Sequence, residues 1–469
     1  MVFSSIPFLY FFLPAVLLCY FAVPAKAKDV ILLVFSLLFY WWGEPKYALL
    51  MVFTITFCYF AGRILESRRE KSRESKAILI FSVAVPLGFL AVFKYADFFI
   101  GSINSLGADI PLLKLALPIG ISFYTFQAIS YLIDVNRGDI PAEKSLITLA
   151  AYITLFPQLI AGPIVRYSDV ADDMKNRKIN LKNLSDGIRR FVYGIGKKVL
   201  IANLLGTICS VYRDSSDPSV LYAWIYAVSY SLQIYFDFSA YSDMAIGLGK
   251  IFGFKTLENF NYPYIASSVG GFWRRWHISL SSWFKDYLYI PLGGNRKGRW
   301  MAALNKAIVF TLCGIWHGAN WTFLLWGFWH GLLSSVESLQ IVPTKKMDAS
   351  KGGRVIGRIY TLLAVCIGFV MFRAATVGEG FSVISAMFTG FSLTDASTVL
   401  LHTLLNGETV AVLVLGIIFS MPVKNLFEKS HKFKPAFEVL SYIAVLLLFV
   451  LSVGKLASGG FAPFIYAQF

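Results

Sequence analysis

The chain has 469 residues, of which 57% are hydrophobic, 16% aromatic and only 15% charged, and its mean hydropathy is +0.63. Soluble globular proteins carry roughly 25% charged residues, and no polar stretch of this chain is long enough to form a soluble domain. The contents of 36 Gly, 17 Pro and 5 Cys exclude the collagen-like, disordered and disulfide-rich classes. The composition therefore predicts a polytopic membrane protein.

The net charge of +16 comes from short basic runs that lie between apolar segments. This distribution is typical of cytoplasmic loops near anionic lipid headgroups, and it argues against nucleic-acid binding because no basic patch lies on a soluble scaffold. We expect Lys71, Lys178 and Lys346 to be cytoplasmic, and Asp217 and Pro218 to be outside. The basic runs extend over residues 63–76, 175–198, 274–299, 345–358 and 424–434.

The first apolar run, Ile6 to Val23, has basic residues after it rather than before it, which predicts an uncleaved helix instead of a signal peptide. A spanning helix needs roughly 20 apolar residues. Several later runs are shorter, and others are broken by Pro45, Pro118 or Pro157, which favours re-entrant segments. The pattern predicts an all-α membrane protein with roughly ten or eleven transmembrane helices plus re-entrant and interfacial helices. The later runs cover residues 30–42, 47–61, 77–100, 115–133, 146–164, 191–211, 220–249, 303–340, 359–373, 382–403, 408–421 and 436–454.

Residues 168–198 form the longest polar interval and predict a cytoplasmic loop. An amphipathic helix is expected over Leu184 to Leu200, with its basic side chains facing lipid headgroups. The alternative is a docking face for an acidic carrier protein or a phosphorylated donor. The basic side chains are Arg189, Arg190, Lys197 and Lys198.

Two carboxylates, Asp237 and Asp243, lie in an apolar stretch, where ionisable residues are costly. At helical spacing Gln233, Asp237 and Tyr241 share one stripe. We expect at least one of the carboxylates to hydrogen-bond within the helix bundle and fix its packing. The chain contains no HExxH-type spacing, so no metal site is predicted.

A second polar patch, residues 272–296, mixes tryptophan with basic side chains. It is interpreted either as an aromatic belt at the cytoplasmic interface or as a wall where a donor carrying phosphate docks. In the second interpretation the candidate donor-binding residues are Arg274, Arg275, Trp276 and Lys285.

A third patch, residues 314–331, places His317 in an apolar run between Trp316 and Gly318. A neutral imidazole in such surroundings can act as a general base, although a histidine in a membrane bundle can instead hydrogen-bond between helices. If the helix is continuous, Asn320 and Trp321 lie on the His317 face and His330 lies near the opposite face. The glycine pairs 314/318 and 327/331 predict a close approach of another helix.

Residues 233–249, 272–280 and 316–323 together resemble the membrane-bound O-acyltransferase family, in particular the branch that acetylates alginate. Shorter blocks at residues 1–5, 156–164, 259–264 and 463–469 also fit, so the resemblance spans the whole chain.

The resemblance implies one membrane domain over residues 1–469, with a catalytic core segment at 231–331 and helices around a central funnel and tunnel. It implies that His317 is the catalytic histidine and that His277 occupies a second polar position, where it positions or polarises the thioester carbonyl. The tunnel-lining candidates are Trp316, Asn320, Trp321, Asp237, Tyr241 and Asp243.

The resemblance further implies an acetyl donor in the cytoplasm, acetyl-CoA or another acyl thioester, with no bound cofactor. The acyl group would cross the bacterial inner membrane to an extracytoplasmic SGNH-hydrolase-like partner, which esterifies a polysaccharide such as alginate. Two alternatives stay open: D-alanyl transfer to teichoic acid, and a transporter or flippase without chemistry.

Overall fold

The computed structural model describes residues 2–214, 219–391, 398, 405–423, 434–460 and 462–465. Every regular element with printed bounds in these ranges is helical, as the sequence predicts. The predicted outside residues Asp217 and Pro218, and the basic run from 424 to 433, lie outside the described ranges.

The N-terminal half consists of helices joined by short connections. A π-helical turn, Phe8–Phe12, leads into the first α-helix, a 3₁₀ turn at Ala25–Ala27 precedes the second, and the π-helical turn Lys197–Ala202 separates α9 from α10. The α-helices are α1 (Leu13–Ala22), α2 (Lys28–Gly43), α3 (Ala48–Arg68), α4 (Ser72–Asn104), α5 (Ile121–Arg137), α6 (Leu146–Thr154), α7 (Phe156–Leu159), α8 (Tyr167–Lys175), α9 (Leu181–Gly196), α10 (Asn203–Asp214) and α11 (Val220–Ile251).

The C-terminal half begins with short helices that interrupt the series of longer apolar helices. A 3₁₀ turn at Pro263–Ile265 precedes them and a π-helical turn, Lys285–Tyr289, follows them. The α-helices are α12 (Val269–Trp273), α13 (Ile278–Phe284), α14 (Arg299–His317), α15 (Trp321–Ser338), α16 (Thr344–Asp348), α17 (Lys351–Arg373), α18 (Val377–Ala386), α19 (Gly407–Phe419) and α20 (Lys434–Ala457).

Within the described ranges, five helical segments are long and apolar enough to cross a membrane. Shorter apolar helices, such as Phe8–Ala22 and Gly407–Phe419, accompany them. The count of ten or eleven spans stays a prediction. The five segments are Ala48–Arg68, Arg73–Asn104, Leu181–Tyr212, Lys351–Arg373 and Glu438–Ala457.

The described chain divides into two compact units. The first contains residues 2–191 and 241–257. Its core is aromatic: the Phe3 ring lies 4.9 Å from Phe8 and stacks on Tyr241 at 4.8 Å. A buried guanidinium, Arg177, pairs with Asp29 inside this unit.

The second unit contains residues 192–240 and 258–465. Its most closely packed pair is α14 and α15, in which glycines allow the two backbones to meet. A Cβ added to Gly327 would lie 2.9 Å from the Gly314 Cα and would clash with the Phe310 carbonyl oxygen. The predicted close approach at Gly314 and Gly327 is therefore confirmed, and the partner helix belongs to the same apolar run.

That apolar run, 303–340, is not one helix, and the expectation of a continuous helix through His317 is wrong. Helix α14 ends at His317, because Gly318 adopts an extended conformation with φ −172° and ψ 158°. Helix α15 then begins after Asn320, whose side chain accepts a hydrogen bond from the Thr322 N–H. The two halves of the run pack against each other instead of continuing in line.

The expectation that Lys198 faces lipid headgroups is also wrong. The amphipathic segment predicted over Leu184 to Leu200 continues through the π-helical turn into α10, and Lys198 has a relative exposure of only 2%. Its Nζ lies 2.5 Å from Asp237 Oδ1, because a buried ammonium requires a carboxylate partner.

We expect a cysteine at position 71 or 178 to be labelled only from the cytoplasmic face, and one at position 106 only from outside. Lys71 precedes α4, a helix of 33 residues, whereas Leu106, which is 88% exposed, follows it. Such a helix is about 50 Å long, more than a bilayer core. A membrane-impermeant maleimide applied to cells measures the accessibility of each position.

The experiment uses the Cys19→Ser background, because Cys19 is exposed and the other four cysteines are buried. Labelling of Lys71→Cys and Leu106→Cys from the same face would contradict a spanning α4, and labelling of Lys71→Cys from outside would reverse the orientation.

Candidate active site

His317 lies at the C-terminal end of α14 inside an aromatic cage, and it is 4% exposed. The Trp326 and Phe372 rings meet the imidazole edge-on, with centroids 5.1 and 5.3 Å away. The neighbouring Trp316 ring is centred 5.0 Å away. These rings come from α14, α15 and α17, so the cage depends on the helix break and not on local sequence alone.

His277 lies between the short helices α12 and α13 and is 1% exposed. Its backbone is left-handed, with φ 44°, a conformation that strains a residue with a Cβ. Its Nδ1 lies 3.1 Å from Asn259 Oδ1, and its ring meets Phe238 edge-on at 4.6 Å. A strained and fully buried histidine is a feature that packing requirements alone do not favour.

Aromatic contacts connect the two histidine segments within the second unit. Trp273, on the helix that precedes His277, contacts Trp326 with centroids 5.5 Å apart. Trp326 in turn contacts His317. The structure therefore brings the second and third polar patches of the sequence into one packed cluster.

His330 belongs to this cluster. It is fully buried on α15, and its Nδ1 accepts a hydrogen bond of 3.4 Å from the Trp273 indole N–H. Its ring centroid is 5.2 Å from that of Trp326, which also contacts His317. The prediction that a regular helix turns His330 away from His317 fails because the helix ends between them.

Asn320 and Trp321 do not share a helix with His317. The Asn320 Nδ2 donates to the Ala375 carbonyl oxygen at 2.9 Å, and Trp321 is 51% exposed at the start of α15. Their proposed tunnel-lining role therefore receives no support from helical register.

The two carboxylates of α11 both form ion pairs. Asp237 pairs with Lys198, and its Oδ2 accepts a 2.7 Å hydrogen bond from the Ile465 N–H. Asp243 accepts two hydrogen bonds from the Arg190 guanidinium, at 3.0 and 2.9 Å. The prediction that at least one carboxylate fixes helix packing is confirmed for both.

The donor-patch residues have different surroundings. Arg274 and Lys285 are exposed. Arg275 donates to the Asn261 carbonyl oxygen at 3.0 Å, and Trp276 is 1% exposed and stacks on Phe272 at 5.4 Å. Only the two exposed cations have the accessibility that contact with a soluble donor requires.

Two polar residues of the cluster were not identified from the sequence. Asn259 holds His277, and Glu337 accepts the backbone N–H groups of Val269 and Gly270 at 2.6 and 2.8 Å. A carboxylate there satisfies free donors at the start of α12. Asn259 begins the block 259–264 that fits the family, but no local pattern assigns a role to either residue, since each acts on a segment distant in sequence.

No group of three or more possible metal ligands lies together among the residues that the structure describes.

We expect Gly327→Ala to destabilise the protein by roughly 1–3 kcal/mol, because the added methyl group collides with backbone atoms that are unable to rotate away. The matched control is Gly88→Ala on α4, where a Cβ meets no atom within 4 Å and alanine favours the helix. Thermal unfolding of both variants in detergent, followed by tryptophan fluorescence, measures the difference. Equal unfolding temperatures would contradict the close packing of α14 on α15.

The chain is similar to known proteins over its whole length. The family model of the membrane-bound O-acyltransferases matches residues 140–374, a range that contains His277, His317 and Asn259. A probable alginate O-acetylase of Azotobacter vinelandii is 39% identical over 100% of both chains. The peptidoglycan O-acetyltransferase of Helicobacter pylori is 34% identical over 92% of this chain and 91% of its own. The teichoic acid D-alanyltransferase of Bacillus subtilis is 30% identical over 54% of this chain and 68% of its own.

Proposed function

We propose that this chain passes an acetyl group from a cytoplasmic thioester across the membrane, where the group reaches the hydroxyl groups of an extracytoplasmic polysaccharide. The chain belongs to the membrane-bound O-acyltransferase family, and it is an O-acyltransferase that crosses the membrane several times. The observation that carries this proposal is the full-length similarity to a probable alginate O-acetylase, together with the similarity to a peptidoglycan O-acetyltransferase.

The alternatives have less support. A D-alanyl transferase relative matches only 54% of this chain, whereas the two O-acetylating relatives match 100% and 92%. A transporter without chemistry does not agree with membership of an enzyme family. Alginate and peptidoglycan stand as the two candidate polymers because they appear in the names of those relatives.

In the proposed reaction the acceptor hydroxyl attacks the thioester carbonyl. A C–O bond forms, the C–S bond breaks, and the hydroxyl proton passes through a base to the leaving thiolate. His317 is the proposed base, because its aromatic cage keeps the imidazole in apolar surroundings from which water is excluded. His277 is the second polar group of the site.

The proposed donor is acetyl-CoA or another acyl thioester, used as a substrate and not retained. Arg274 and Lys285 are the exposed cations that suit its phosphate groups. The proposed location is the bacterial inner membrane, and the proposed partner is an extracytoplasmic protein resembling SGNH hydrolases that completes the transfer to the polymer.

We expect His317→Ala to lower acyl transfer by roughly 10²- to 10⁴-fold, the usual contribution of a general base. The assay expresses the variant in an alginate-producing strain without its own alginate O-acetylase and measures ester-linked acetate on the polymer at matched membrane levels. Peptidoglycan from a strain without its own peptidoglycan O-acetyltransferase is assayed in parallel.

The control is His330→Ala, which removes a buried histidine of the same cluster whose ring contacts Trp326, the residue that also contacts His317. It should retain its activity per folded protein. Normal acetylation by the His317 variant would remove the catalytic assignment.

We expect Arg274→Ala to weaken acetyl-CoA binding by about 10- to 100-fold, since a hydrogen bond to a charged group contributes roughly 1.5–3 kcal/mol. Titration of purified protein with acetyl-CoA measures the affinity. Arg275→Ala is the comparison variant, because Arg275 holds the Asn261 carbonyl and its loss disturbs the backbone near Asn259. An unchanged affinity of the Arg274 variant for acetyl-CoA would contradict donor binding by Arg274 and would favour a role for that side chain at the membrane interface.

A further inference from the structure

We propose that Asn259 is a positioning residue that fixes the His277 imidazole as a hydrogen-bond acceptor toward the substrate. The substrate group that meets His277 is then an O–H or N–H donor and not the thioester carbonyl oxygen. This inference rests on the proposed part of His277 in acyl transfer, and it replaces the expectation that His277 polarises that carbonyl.

The orientation of the Asn259 amide follows from its partners. The Ser279 backbone N–H lies 3.1 Å from Asn259 Oδ1, and the Ser279 hydroxyl donates to the same atom at 2.8 Å. A backbone N–H is only a donor. The atom that it meets must therefore be the amide oxygen, and this fixes which end of the Asn259 amide faces His277.

The tautomer of His277 follows from that orientation. Nδ1 lies 3.1 Å from the same oxygen, which only accepts hydrogen bonds. Nδ1 must therefore carry a hydrogen and donate it to Asn259. In a neutral imidazole the remaining nitrogen, Nε2, then has a lone pair and accepts.

Two backbone hydrogen bonds near His277 do not involve the Asn259 side chain. The Ile278 N–H donates to the Asn259 carbonyl oxygen at 3.0 Å, and the Asn261 N–H donates to the Arg275 carbonyl oxygen at 2.9 Å. These bonds hold the strained His277 segment against residues 259–261. A change of the Asn259 side chain therefore leaves these two backbone bonds in place, while it alters the acceptor shared by the His277 imidazole and the Ser279 N–H and hydroxyl groups.

The tautomer determines which substrate group His277 is able to contact. A neutral His277 with a hydrogen on Nδ1 has no second N–H for a carbonyl oxygen. Its Nε2 suits the acceptor hydroxyl, or an amide N–H of the donor, and can orient that group by accepting its hydrogen bond. Asn259 has a relative exposure of 0%, which keeps water from replacing its hydrogen bond.

Two substitutions of Asn259 separate positioning from packing. Asn259→Ala removes the acceptor, and we expect acyl transfer to fall by about 10- to 100-fold, the range typical of partners that orient a functional histidine. Asn259→Asp keeps an acceptor at the same place and should retain activity within roughly tenfold of the wild type. Within the described ranges the Asn259 Nδ2 donates no hydrogen bond, so the aspartate breaks none. Ser279→Ala is the matched control, because it removes one hydrogen bond to the same oxygen but leaves the bond to His277.

The Asn259→Ala substitution in the His277→Asn background tests whether Asn259 acts through His277. Asparagine tolerates the left-handed backbone at position 277 but takes up no proton. Asn259→Ala should cause no further loss there. An equal loss in both backgrounds would assign Asn259 a purely structural part and overturn the proposal, as would full activity of His277→Asn. An active His317→Ala would instead overturn the proposed function.

The tautomer is also measurable in the unmodified protein. Nitrogen-15 NMR of histidine-labelled protein, with the His277 signals identified by their loss in His277→Asn, should place a protonated nitrogen at Nδ1 and an unprotonated one at Nε2. The reverse assignment overturns the proposal even where the Asn259→Ala variant does not fold.

Discussion

Ion pairs between distant parts of the sequence satisfy buried charges of this chain, because bilayer hydrocarbon supplies no polar partners. In the second unit the Lys198 ammonium and the Asp237 carboxylate neutralise each other, and the backbone near residue 465 completes the pair. In the first unit Arg190 and Asp243 do the same. Both carboxylates lie on α11, so this helix holds its charged neighbours through paired charges and not only through apolar packing.

The candidate catalytic histidines lie at breaks in the helices. His317 is the last residue of α14, and His277 lies where α12 gives way to α13. A histidine inside a regular helix would have its position set by that helix alone. At a break, the imidazole is held by side chains from several elements, such as Trp326 and Phe372 around His317. The cost is a free helix end at each break. Asn320 accepts the Thr322 N–H at the start of α15, and Asn259 accepts the Ile278 and Ser279 N–H groups at the start of α13.

The aromatic residues connect these breaks. Trp273 contacts Trp326 and donates to His330, while Trp326 contacts both His317 and His330. Large rings of this kind exclude water and still offer an indole N–H where a nitrogen needs one. This cluster therefore makes a dry environment for acyl transfer compatible with buried imidazoles, and it joins two patches that are separate in the sequence into one region.

The sequence by itself determined the membrane class, the helical content, the family and the choice of His317 and His277, because composition, apolar run length and local motifs carry that information. It also determined that glycines 314 and 327 permit close packing. Only the tertiary structure decided that α14 and α15 are separate helices, that Lys198 is buried, and that the Asn259 side chain lies against the His277 imidazole. These features depend on contacts between segments far apart along the chain, and a hydrogen bond or ion pair of that kind leaves no periodic trace in either segment.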